Sequence, residues 1–155
     1  MNFGQALRIL LTSIRRLAGR LIPLRWLDYL RLAALLLATL AWLGVTMIFL
    51  GTPHPPRLAD PQTLGLTPDA KAWLGHLLLF FGVGFLAAVT SSAGTNSRRV
   101  SLLLGTGTLS GFLWGAFTEW YQTKVPGRSG NLEDVITDTL GASLGSLAAW
   151  LLGRR

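Results

Sequence analysis

Four stretches of this chain are apolar over lengths that cross a lipid bilayer, and nothing else in it narrows the possible folds so far. Leu32 to Pro53 carries no charge, and Val100 to Thr118 is charge-free between Arg99 and Glu119. From Ala72 to Ser97 the only ionisable residue is His76. The fourth stretch runs from about Asp134 to Leu152, with Asp138 inside its first turns. At about 1.5 Å per residue, the third reaches roughly 28 Å, close to the thickness of bilayer hydrocarbon. In that medium each backbone group must bond within its own segment, which selects helices. No strand-like alternation of useful length competes. The expected fold is an all-α membrane protein, a four-helix bundle occupying residues 32–155. Its spans fall near 32–52, 72–92, 100–120 and 134–152.

Composition agrees. Half of the 155 residues are hydrophobic and 14% are charged, where a soluble domain carries about a quarter. The chain has no cysteine, which excludes disulfides, thiolate metal sites and cysteine nucleophiles. The formal charge is +7, but the arginines flank apolar spans and no nucleic-acid motif accompanies them, so a nucleic-acid partner is not expected. Within residues 1–31, Phe3, Leu7, Leu10, Leu11, Ile14, Leu17 and Leu21 recur at helical spacing opposite Arg8, Arg15, Arg16 and Arg20. This pattern predicts a basic amphipathic helix on the membrane surface, not a cleaved signal peptide. Pro23 ends or kinks it. Five prolines between 51 and 70 predict an extended surface connection, with His54 solvated. Arginine and lysine placement puts both termini in the cytoplasm. Trp73, Trp120 and Tyr121 then fall at the outer edge, as an aromatic belt.

Small residues set how the spans meet. Gly107, Gly111 and Gly115 lie four apart in the third, and Gly141 and Gly145 repeat the device in the fourth. Such ridges let neighbouring helices approach closely. Gly82 and Gly84 offer close packing or a kink in the second. Glu119 and Gln122 continue the glycine face of the third span, while Asp134 and Asp138 lead into that of the fourth. The third and fourth helices are therefore expected to meet through their glycines and gather four polar side chains at the outer leaflet. Ionisable groups at the edge of hydrocarbon are costly and tend to mark function. Arg128, in the short connecting loop, is the nearest counter-charge. Asn131 is placed to cap the fourth helix. His76 enters from the same side, with Lys71 before it.

Several of these residues also carry a resemblance. Glu119-x-x-Gln122, Val125-Pro-Gly-Arg128-Ser129, Asp134, Thr139-Leu-Gly141 and Gly145, with His76 to Phe81 upstream, are similar to the pattern of the VanZ-like family of small bacterial membrane proteins. The similarity covers about residues 70–152. It departs at Asp138, where the family usually has Asn, and at Trp73, which occupies the position of a usual Lys. The resemblance implies the cell envelope and, through family members linked to teicoplanin resistance, antibiotic resistance.

Three functions fit this sequence. One is a pocket on the outer face of the bacterial inner membrane that binds a membrane lipid or lipid-linked envelope precursor. Its contacts would be His76, Lys71, Glu119, Gln122, Arg128, Asp134 and Asp138. A second is an enzyme on a lipid-linked substrate, with Glu119, Asp138 or His76 as acid or base. A third is a structural or accessory protein whose polar cluster fixes helix register. No cofactor or metal is expected; a single ring donor would suit a hard cation better than zinc.

Overall fold

The computed structural model describes Gln5 and residues 24–53, 65, 67–95 and 99–154. The surface helix expected before Pro23, and most of the proline-rich connection with His54, lie outside these residues. The chain divides into two units, 1–34 and 35–155. Among the described residues there is no strand. Four helices are long and apolar enough to cross a membrane: α1 (Leu24–Leu50), α2 (Pro68–Thr95), α3 (Val100–Gln122) and α4 (Leu132–Gly153).

The helix ends follow from local chemistry. Helix α1 runs without a break across the boundary expected at residue 31, since neither Gly nor Pro occurs between Leu24 and Gly44. Thr67 precedes α2, and its hydroxyl accepts from the Ala70 N–H at 3.2 Å. Pro68 fills the first helical position, where no amide donor is needed. Asn131 caps α4, accepting from the Glu133 N–H at 3.1 Å. Between α3 and α4, the Arg128 N–H returns to Val125 O at 3.1 Å. Pro126 and Gly127 fill the centre of that turn, and Gly127 has φ of 79°, which a type II turn reserves for glycine.

What is inside and what is outside is inverted relative to a soluble protein. Leu109, Phe112, Leu113 and Phe117 of α3 are exposed, as are Ile136, Leu140, Leu144, Leu151 and Leu152 of α4. Buried on the same helices are Gly107, Gly111, Gly115, Gly141, Ala142, Gly145 and Ser146. Large apolar groups facing outward and small ones packed inward are what a bundle in lipid requires, where close backbone approach replaces hydrophobic burial.

Helices α2, α3 and α4 pack mutually, and α4 uses two faces to do so. A side chain at Gly107, Gly111 or Gly115 of α3 would collide with Ser146, Ala142 or Asp138. Gly141 and Gly145 instead lie against the α2 backbone at Leu77, Phe81 and Phe85. Gly84 of α2 meets the Ala142 backbone. The two glycine rows therefore do not face each other as their shared spacing suggests. The α3 row receives the small side chains of α4, and the α4 row receives α2. From residue 35 onward, α1 docks by longer side chains. The Trp42 indole covers Gly82 and donates to Leu79 O at 2.8 Å. Trp114 of α3 donates to the Thr46 hydroxyl at 2.7 Å.

Candidate functional site

The polar residues converge where α2 and α4 begin and α3 ends. His76 stands nine residues into α2 and is 6% exposed. Asp138, two turns into α4, is fully buried. Its Oδ1 lies 2.9 Å from the ring Nδ1 of His76, a hydrogen bond between the two side chains. The other oxygen, Oδ2, is buried without a hydrogen-bond partner among the described residues. It rests over Gly115, whose missing side chain leaves the room. The small-residue seam between α3 and α4 thus fixes the carboxylate that fixes the imidazole.

Glu119 forms the second half of the cluster and is 5% exposed. Its Oε1 accepts from Gln122 Nε2 at 3.1 Å, and its Oε2 accepts from the Asn131 N–H at 2.8 Å. One carboxylate so joins the last turn of α3 to the cap of α4. Gly130 allows it, for a side chain there would press on Glu119 O. Asp134 is half-buried in the first turn of α4, where a negative charge suits the helix dipole. One donor atom each from His76, Glu119 and Asp134 falls within 4.8 Å of the others.

Of the residues singled out from sequence, the structure brings His76, Glu119, Gln122, Asp134 and Asp138 together. Arg128 is used differently. Its Nε donates to Thr52 O at 3.3 Å and its terminal nitrogen to Phe49 O at 3.1 Å, both at the end of α1. Its hydrogen bonds go to these carbonyls and not to the carboxylates that sequence proximity assigns to it, while its charge still acts on Glu119. Arg128→Ala is expected to lower stability by about 1.5–3 kcal/mol, the range for hydrogen bonds to a charged group. Detergent-titrated unfolding, followed by tryptophan fluorescence, measures this; Arg128→Lys should recover only part of it. Lys71 lies half-buried in the first turn of α2. Asn131, which sequence offers only as a cap, also serves the site through its amide, and no pattern in the sequence points to that bond.

Around the cluster, Trp73, Trp120 and Tyr121 are exposed. Further along the helices, an apolar cleft of about 250 Å³ opens between α1, α2 and α3, lined by Leu43, Val83, Ala87, Leu113 and Trp114. From its Ser110 wall to Glu119 is about 14 Å along α3.

A bundle of membrane-length helices with a buried histidine–carboxylate cluster at one end defines a small helical membrane protein with a polar site at its rim. Residues 34–153 match the VanZ/LLP1 family, and the chain belongs to it. No curated protein sequence and no solved structure matches the chain significantly.

Proposed function

We propose that the cluster binds the polar headgroup of a membrane lipid or lipid-linked envelope precursor, at the extracytoplasmic face of a bacterial inner membrane. Both termini then lie in the cytoplasm, as the arginine distribution asks. The observation that carries this reading is the burial of His76, Glu119 and Asp138 at the helix ends, level with exposed tryptophans. Buried ionisable groups at that depth are costly and tend to mark function, here the contact with a polar ligand. The apolar cleft below is of a size to take part of a lipid tail. A role in teicoplanin resistance rests on the family alone.

Acid–base chemistry on the same ligand is the second reading. It is favoured by the Asp138–His76 bond, which fixes one ring nitrogen and leaves the other for proton transfer. Glu119 and Asp138 are the accompanying carboxylates.

Mass spectrometry of lipids that co-purify with the protein tests both. The wild-type chain should retain a phosphorylated lipid species that His76→Gln and Asp134→Asn reduce at least ~10-fold, equivalent to about 1.4 kcal/mol. Retention that is equal in all three proteins refutes a headgroup site here. If Glu119→Gln retains the lipid but accumulates it unconverted, the catalytic reading gains over simple binding.

A further inference from the structure

The cluster is rich in carboxylates. Glu119, Asp134 and Asp138 set three carboxylates around one imidazole. Arg128, the nearest guanidinium by sequence, gives its hydrogen bonds to the Phe49 and Thr52 carbonyls. An anionic headgroup brought directly to such a site meets like charge in a poorly screened setting. Added positive charge at the carboxylates would let the site take a phosphate.

Three features point to where that charge sits. His76, Glu119 and Asp134 come from three different helices, yet each offers a donor atom within 4.8 Å of the other two. With Nδ1 engaged by Asp138, Nε2 is the ring donor that His76 has left. Behind the ring stands an aspartate hydrogen-bonded to it, the arrangement that sets tautomer and ring orientation for metal ligation.

We propose that His76, Glu119 and Asp134 hold a divalent cation of the Mn²⁺ or Mg²⁺ kind, oriented by Asp138, and that this cation receives the phosphate of the headgroup. The second clause rests on the headgroup reading; the first does not. One imidazole with two carboxylates, completed by water or phosphate oxygen, favours a hard six-coordinate ion over a closed zinc site. Ligands at about 2.1 Å from a metal are at most about 4.2 Å apart, so the donors need close by no more than about 0.6 Å. Asp134, half-buried in the first turn of α4, is the least enclosed of the three. Each Glu119 oxygen accepts one hydrogen bond and keeps a second lone pair for the metal. Gln122 and the Asn131 amide then orient that carboxylate as Asp138 orients the ring.

The test is a Mn²⁺ titration of the full chain in detergent, stripped of lipid, read by electron paramagnetic resonance of free and bound ion. Wild type should bind about one Mn²⁺ per chain, displaced by excess Mg²⁺, with a resolved coupling to an imidazole nitrogen. His76→Gln and Asp134→Asn should each weaken binding at least ~10-fold, and Asp138→Asn by about 10–100-fold without changing stoichiometry. Glu133→Gln, an exposed acid one residue from Asp134, should change nothing. Failure of wild type to bind Mn²⁺, bound Mn²⁺ without nitrogen coupling, or an equal loss in Glu133→Gln overturns the proposal. The nitrogen coupling is read on wild type and decides the matter even if the variants do not fold. A phosphorylated lipid retained in excess EDTA keeps the headgroup reading and removes the cation. Mn²⁺ bound with imidazole coupling, but with no phosphorylated lipid retained, keeps the cation and removes the headgroup.

Discussion

Gly145→Val is expected to cost the bundle about 3 kcal/mol or more, the upper end of the range for overpacking. The first atom of any side chain at this position falls on the carbonyl of Phe81 and the amide of Phe85 in α2. Backbone cannot swing aside as a flexible side chain does, so α2 and α4 must separate. Separation opens the seam along which Gly84 also meets Ala142, and close packing is the principal attraction between helices in lipid. Against a total stability of about 5–15 kcal/mol, such a loss removes much of the folded yield. The comparison is Gly105→Ala, where an added carbon meets nothing within 4 Å; it should gain about 0.5–1 kcal/mol through helix propensity. Detergent-titrated unfolding of both variants gives the difference. If Gly145→Val is no less stable than Gly105→Ala, then α2 and α4 do not pack through this seam.

That seam also shows how far sequence reaches in a membrane bundle. The spans are legible because length and charge are local properties, and α3 ends within two residues of expectation, at Gln122. Helix partners are not local. Gly141 and Gly145 have the same spacing as Gly107, Gly111 and Gly115, and spacing says that a ridge exists without saying which neighbour fills it. Asp138, Ala142 and Ser146 run along α4 at the same interval of four, each one residue after Thr137, Gly141 and Gly145. That offset turns the second row about 100° around the helix, toward the glycines of α3. Small and polar residues at a steady interval are the available sign of this second face. The pairing of His76 with Asp138 has no sign at all, since 62 positions separate them. Sequence gathers Glu119 and Asp138 into one group of polar side chains, whereas the fold gives each its own partners. Proximity in the chain assigns Arg128 to the acids, but the turn at Pro126-Gly127 carries it back to α1.

Replacing His76 and Asp138 singly and together should separate what the pair does for the fold from what it does for a ligand. His76→Leu alone leaves Asp138 fully buried with neither oxygen partnered. Removing one member of a buried pair in this way costs about 3–5 kcal/mol. Changing both residues to Leu removes the stranded charge and fills similar volume with carbon, which in other proteins is neutral or stabilising. The double variant should therefore recover most of the loss, with a coupling of about 3 kcal/mol or more between the positions. If the pair serves only to set helix register, the double variant will be stable and keep whatever lipid the wild type retains. If it serves a ligand, the double variant will be as stable as wild type and retain none. A double variant no more stable than His76→Leu contradicts the pairwise account itself, because the cost would then lie in the shape of the site and not in its charge. Stability from detergent-titrated unfolding and lipid retention from mass spectrometry, measured on the same preparations, distinguish the three results.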